Sequence, residues 1–114
     1  MDTEQRLRDL YDAFNARDVD AVLAAVTDDV DWPNAWEGGR VQGKDGIRSY
    51  WTRQWAEIDP RVEPVEMAER DDGQIAVAVE STVLDRDGGL IAKGTVRHVY
   101  TLRDGLVARM DVEE

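Results

Sequence analysis

Residues 74–84 read QIAVAVESTVL, a run that favours an extended strand because β-branched side chains fit a pleated sheet. Turn sequences flank it, Asp71-Asp-Gly73 on one side and Asp85-Arg-Asp-Gly-Gly89 on the other. Further strands are predicted at 62–69, 91–102 and 106–112. Because the connections between these strands are short, the second half of the chain predicts an antiparallel meander.

The first half of the chain predicts helices. Residues 3–16 place apolar side chains at helical spacing, namely Leu7, Leu10, Tyr11 and Phe14. A short helix is expected at 19–26, a strand at 28–33 and a third helix at 44–58. Helices grouped ahead of a meander predict an α+β fold in which the helices cover one face of the sheet.

The strand around 75–79 is apolar on both of its faces. One face would pack on the helices, and a second subunit is the simplest cover for the other. We therefore expect a homodimer, since isologous pairs are the commonest oligomers. The alternative is that the outward alanines are small enough to stay exposed.

The net charge limits the kinds of partner that the chain can bind. The 114 residues carry a formal net charge of -11. This argues against nucleic acid, which needs a positive footprint, and against an anionic membrane surface. Neutral, cationic or apolar small molecules remain compatible. The length fits one domain, 1–114.

The sequence lacks the residues or motifs that several kinds of site require. The chain has no cysteine and one histidine, so we expect no metal. Phosphate-loop and dinucleotide fingerprints are absent, so we expect no cofactor. The charged N-terminal sequence MDTEQRLRDL lacks the apolar core of a signal peptide, and no run approaches a membrane span. We therefore expect a cytoplasmic protein.

All four tryptophans fall between positions 32 and 55, and Tyr50 lies among them. They are Trp32, Trp36, Trp51 and Trp55. Large aromatic side chains dominate pockets and interfaces. The cluster therefore indicates a cavity, a core layer or a contact surface, without naming a reaction.

The order of elements and four short motifs resemble the nuclear-transport-factor-2-like superfamily, in its SnoaL-like and ketosteroid-isomerase-like branch. The motifs are Asn15-Ala-Arg-Asp-Val-Asp-Ala-Val22, Val30-Asp-Trp-Pro33, Gly43-Lys-Asp-Gly-Ile47 and His98-Val-Tyr-Thr-Leu-Arg-Asp-Gly105. The resemblance covers almost the whole chain. It implies a cone-shaped fold, with a curved sheet wrapped around three helices and an apolar pocket at one end, and dimers through the convex face. Because the family includes enzymes and non-catalytic proteins, the fold assigns no reaction.

The catalytic residues of ketosteroid isomerases do not carry over. Their base is an aspartate just before the proline of the first strand, where this chain has Trp32. Their oxyanion hole uses a tyrosine and a protonated aspartate, and counting along the motifs places Leu10 and Arg97 there. An offset of one residue would bring in Tyr11 and Asp31. Strand alternation argues against Asp31, because Trp32 takes the opposite face.

We predict a ligand pocket formed by Trp32, Trp36, Tyr50, Trp51, Arg97, Val99 and Met110, with Asp31 as a candidate acid or base. Trp32 either lines the pocket or fills it, and Trp36 forms a lid or an oligomer contact. Arg97 would hold a ligand carboxylate, or pair with an internal acid such as Asp31 or Glu80. Alternation places His98 and Tyr100 on the other, convex face.

Two functions remain open from the sequence. The first is binding of an apolar or ring-bearing small molecule, with possible isomerase- or cyclase-like chemistry. The second is a non-catalytic dimeric module whose aromatic interior is filled core. Whether the chain is an enzyme is left open. A subunit of a larger enzyme assembly ranks last, because no tail or linker is recognisable.

Overall fold

Residues 3–34, 37–70 and 72–113 are described by the computed structural model. Over these ranges the helices are α1 (Thr3–Asn15), α2 (Val19–Leu23) and α3 (Gly43–Glu57). The strands are β1 (Val26–Pro33), β2 (Arg40–Gln42), β3 (Ile58–Glu69), β4 (Ile75–Asp85), β5 (Leu90–Arg103) and β6 (Leu106–Glu113). The predicted α+β class is confirmed.

The strands form one curved sheet in the order β2-β1-β6-β5-β4-β3. The last four strands are the predicted antiparallel meander. The strand β1 joins it in parallel with β6, and β2 closes the opposite side of the sheet by antiparallel pairing with β1. Helix α3 ends at Glu57, one residue before the predicted end. The strand β3 follows directly and begins at Ile58 instead of the predicted 62.

Alternation along β4 separates the two faces of the sheet. Ile75, Val77 and Val79 are buried on the concave face, which packs against the helices. Ala76 and Ala78 are half-buried on the convex face. Large β-branched side chains thus fill the interior while small ones point outward, which is the period-2 pattern of a strand covered fully on one side.

Helix α1 packs its apolar stripe on the concave face. Leu7, Leu10 and Tyr11 are buried, in agreement with the predicted helical spacing. At the end of this helix the Asn15 side-chain amide makes two hydrogen bonds to β3. Its Nδ2 donates to the carbonyl of Val62 at 2.7 Å, and its Oδ1 accepts from the Val62 backbone N–H at 3.0 Å.

The corner after α1 is held by Arg17. Its backbone adopts φ 62, which is rare for a residue other than glycine. Its guanidinium donates to the carbonyls of Phe14 and Pro60 and pairs with Asp59, and it lies 5.0 Å from the centroid of the Trp55 ring. These contacts connect the end of α1 to the start of β3 and offset the backbone strain.

The Asn15 contacts predict a measurable loss of stability. We expect Asn15→Leu to lower the free energy of unfolding by about 2 kcal/mol, because two backbone groups of Val62 lose their partner. Asn15→Asp keeps an acceptor for the Val62 N–H but places a carboxylate oxygen against the Val62 carbonyl, so at neutral pH it should cost at least as much. Urea unfolding of the three proteins measures both values, and equal midpoints would show that water replaces the amide without cost.

Candidate functional site

A cavity of about 260 Å³ lies between the concave face of the sheet and helices α1 and α3. The helices contribute Leu10, Tyr11, Phe14, Tyr50, Trp51 and Gln54. The sheet contributes Trp32, Val62, Ser81, Val83, Ala92, His98, Tyr100, Met110 and Val112, among others. Neither acidic nor basic residues occur among the described lining residues, apart from the single histidine.

Aromatic rings form the deep wall of the cavity. Trp32 and Trp51 are buried and meet edge to face, with ring centroids 5.8 Å apart. Tyr100 lies beside Trp32 at 6.3 Å, and Trp55 stacks behind Trp51 at 5.5 Å. The indole of Trp32 therefore lies in the wall and leaves open space beside it. Edge-to-face and offset pairs are favourable arrangements that fix the rings in place.

Three polar side chains form a hydrogen-bonded chain on one side of the cavity. The Tyr100 hydroxyl donates to the Tyr11 hydroxyl at 2.7 Å, and the Tyr11 hydroxyl lies 2.8 Å from Nδ1 of His98. Tyr11 has one proton, so while it accepts from Tyr100 it donates its own proton to Nδ1. In this arrangement of protons the imidazole N–H of His98 is on Nε2.

Burial keeps these groups uncharged. It lowers the pKa of His98 to about 4. Burial, together with the neighbouring Tyr100, raises the pKa of Tyr11 far above its ordinary value. Burial also raises the pKa of Tyr100. At neutral pH the cavity therefore presents a neutral imidazole and two neutral phenols, because a buried site penalises the charged form.

A second polar group lies on α3. Gln54 is buried, with 9% of its surface exposed, and its Nε2 donates to the Tyr50 hydroxyl at 3.2 Å. No described residue donates to its other amide atom, Oε1, which is also buried. Residues 50 and 54 lie one helical turn apart, so both side chains face the cavity.

The predicted pocket positions of Arg97 and Val99 are wrong. Arg97 points to the convex face, where its side chain is 54% exposed and pairs with Glu113 at 3.5 Å rather than with Asp31 or Glu80. Val99 shares that face and is buried there. The reason is the register of β5, in which the other alternating set of side chains, His98 and Tyr100, faces the cavity. A displacement of one residue exchanges every side chain between the faces of a strand.

The same register corrects the prediction for His98 and Tyr100. Both were expected on the convex face, and both line the cavity. Likewise Tyr11, one residue from the counted position Leu10, supplies a hydroxyl to the cavity, although Leu10 lines it as well. The local sequence pattern does not reveal this face, because the residues that alternate with His98 and Tyr100 include the apolar Val99.

Asp31 is not among the residues that line the cavity. It lies on the convex face, as strand alternation predicted, and its carboxylate accepts hydrogen bonds from Arg40 and Arg109. Arg109 also pairs with Asp111 at 2.9 Å. The carboxylate belongs to an ion-pair network on the outer surface of the sheet.

Of the residues expected to form a ligand pocket, Trp32, Tyr50, Trp51 and Met110 lie in the lining of the cavity. The predicted lid residue Trp36 lies outside the described residues. The loop near it is attached to α3 through Glu37, whose carboxylate accepts from Arg53 at 2.7 Å and from Asn34 at 2.9 Å. The hydrogen bond from Arg53 is the main reason that the pKa of Glu37 falls to about 2.

Neither a membrane span nor a metal cluster is found in the described ranges. No helix there is long and apolar enough to cross a membrane. No group of three or more His, Cys, Asp or Glu side chains there could hold a metal ion.

A curved sheet packed against helices, with a cavity on its concave face, is the architecture of nuclear-transport-factor-2-like proteins. The family model of the SnoaL-like domain matches residues 7–110, and the chain belongs to this family. A comparison with curated proteins finds no match.

Solved structures with the same fold include proteins bound to small molecules. An NTF2-like protein of unknown function from Burkholderia pseudomallei is 26% identical, with a TM-score of 0.85 over 99% of this chain and 91% of that one. TerC, co-crystallized with polyporic acid, is 24% identical, with a TM-score of 0.84 over 97% and 89%. RV0760c from Mycobacterium tuberculosis, in complex with estradiol-17beta-hemisuccinate, is 17% identical, with a TM-score of 0.83 over 98% and 92%.

The partly buried imidazole of His98 predicts an unusual titration. His98 is the only histidine, so its resonances in nuclear magnetic resonance spectra are unambiguous. We expect them to stay constant between about pH 8 and about pH 5, whereas the urea-unfolded chain should titrate near the ordinary value of about 6.5. The nitrogen shifts should show the proton on Nε2.

Tyr11→Phe is the control for this titration. It removes the hydroxyl that donates to Nδ1, so the preference for the Nε2 proton should weaken. The pKa of His98 should stay low, because burial is its cause. Titration of the native protein near pH 6.5 would contradict the buried, neutral imidazole.

Proposed function

We propose that this protein binds a neutral, ring-bearing apolar small molecule in the cavity, and that His98 donates a hydrogen bond to an acceptor on that molecule. The observation that supports it best is the polar chain Tyr100–Tyr11–His98 at the edge of an otherwise aromatic and aliphatic cavity. A largely apolar cavity with a few convergent polar groups is the usual form of a small-molecule site.

The size of the cavity fits this proposal. An engineered protein cavity of about 150 Å³ holds one benzene ring. The volume of about 260 Å³ exceeds that figure, and it approaches the lower end of typical ligand pockets. A compound of about two fused rings is therefore the natural occupant, with Trp32 and Trp51 providing surfaces for ring contacts.

The electrostatics favour a neutral ligand. The described lining contains no lysine, arginine, aspartate or glutamate, so a charged ligand would lose its hydration without gaining a partner. A neutral imidazole N–H suits a carbonyl or hydroxyl oxygen. Because the described lining holds no carboxylate to abstract a proton, we propose binding as the function and assign no reaction.

The structural comparisons support the binding of a small molecule, and not the choice of a neutral one. TerC and RV0760c share the fold and were each crystallised with a small molecule. The alternative, a module with a filled aromatic core, is less well supported, because Trp32 and Trp51 leave the cavity open beside them. That alternative predicts no saturable binding of any ring compound.

Binding through the cavity predicts the effect of a blocking substitution. Ala92 is exposed on β5 and lines the cavity, so Ala92→Phe should narrow it without disturbing the core. We expect the affinity for 2-naphthol, a neutral two-ring probe, to fall about tenfold or more in calorimetric titrations, a change of about 1.4 kcal/mol.

The neighbouring position gives a matched control. Ile91 is exposed and precedes Ala92 on β5, and it is not among the lining residues, so Ile91→Phe should leave the affinity unchanged. Equal binding by both variants would place the probe elsewhere. Absence of binding to the unaltered protein would refute the proposed function.

We also propose that the protein is a homodimer through the convex face of the sheet. The small side chains of Ala76 and Ala78 are half-buried on that face and leave room for close approach of another surface. Isologous pairing is the commonest way to cover such a surface. The surrounding ion pairs, such as Arg70 with Glu113, would form the polar rim of the contact.

The dimer predicts the result of one charge substitution. Ala78 pairs in register with Glu66 and Arg97 in the middle of the convex face. Ala78→Arg should separate the subunits, because a long side chain there has no room in a close face-to-face contact. Ala56→Arg, on the exposed side of α3, should not. Sedimentation measures the mass of each, and a monomeric unaltered protein would contradict the proposal.

A further inference from the structure

We infer that Gln54 is a recognition point for a ring hydroxyl, so that the ligand class is a hydroxylated ring compound. This inference rests on the proposed function and deepens it. Gln54 lines the cavity from α3, across from the sheet that carries His98. The two residues therefore offer hydrogen bonds from opposite walls of the cavity.

The argument begins with an unpaired buried atom. Oε1 of Gln54 is buried and has no donor among the described residues. An unsatisfied buried acceptor costs about 1–3 kcal/mol, so native proteins rarely keep one. The side chain is 9% exposed, so it cannot turn out to bulk water. Gln54 is part of the cavity lining, so a small turn of its amide would bring Oε1 within reach of a molecule there.

A second unpaired atom shows why the cavity matters. Nε1 of Trp55 is also buried without a hydrogen-bond acceptor among the described residues. Trp55 is not among the lining residues, because its ring packs between Trp51, Phe14 and Arg17. A ligand can therefore satisfy Gln54 and leaves Trp55 unchanged.

A hydroxyl is the group that fits Gln54. In the observed orientation Nε2 donates to Tyr50, and Oε1 needs a donor. If the amide plane were turned over, Oε1 would face the Tyr50 hydroxyl and the amino group would need an acceptor. A hydroxyl donates and accepts, so it pairs with the amide in both orientations. A carbonyl or an ether pairs with only one of them.

The position of Gln54 in the helix supports a role beyond packing. The buried stripe of α3 is otherwise Ile47, Tyr50 and Trp51. A leucine at position 54 would continue this stripe and avoid the cost of burying an amide. The amide costs stability where the cavity is empty and gains affinity where a hydroxyl binds, which is the behaviour of a specificity residue.

The test compares two probes of similar shape. 2-Naphthol and 2-methylnaphthalene differ by a hydroxyl in place of a methyl group. We expect the unaltered protein to bind 2-naphthol about tenfold more tightly in calorimetric titrations. In Gln54→Leu this preference should disappear or reverse, while the affinity for 2-methylnaphthalene is kept. Gln42→Leu, at an exposed glutamine, is the matched control and should keep the preference.

The outcomes separate this inference from the proposed function. A preference for 2-naphthol that survives in Gln54→Leu overturns the role of Gln54, as does equal binding of both probes to the unaltered protein. Failure of both probes to bind overturns the proposed function itself. If Gln54→Leu does not fold, Gln54→Met provides an unbranched apolar side chain of similar length, and the same loss of preference is expected.

Discussion

The hydrogen-bonded chain from Tyr100 through Tyr11 to His98 is the contact on which the rest of the site depends. Three polar groups lie under the concave face of the sheet, and each would be costly to bury alone. They satisfy one another, and in doing so they connect α1 to β5 across more than eighty residues of sequence. Such a chain is compatible with only one register of β5, so it selects which side chains enter the cavity.

The fold could be predicted from the sequence because its signals are local. The apolar stripe of α1, the glycine-containing turns and the alternation of large and small residues along β4 each specify one element. The register of β5 could not be predicted in this way. Both alternating sets, one beginning at Arg97 and the other at His98, include an apolar residue and a polar one, so local pattern does not choose between them. The partner that decides, Tyr11, is distant in sequence.

In the candidate site, too, some residues follow from local sequence pattern and others do not. The tryptophan cluster indicated a cavity, a core layer or a contact surface, and Trp32 and Trp51 line the cavity. The polar groups do not follow from the local pattern. Gln54 falls at a buried position of α3, and the helical pattern shows that it faces inward. Its unpaired oxygen becomes visible only when Tyr50 is seen to engage the other end of the amide. Specificity thus resides in pairings that sequence periodicity does not record.

The two hydrogen bonds from Asn15 to Val62 have a consequence for association between molecules. The strand β3 ends the sheet, so its outer backbone groups are open to pairing with a strand of another copy, the first step of aggregation. The amide of Asn15 occupies one such pair of groups, and Pro60 and Pro64 remove two further donors nearby. The sheet is therefore protected against growth at this edge.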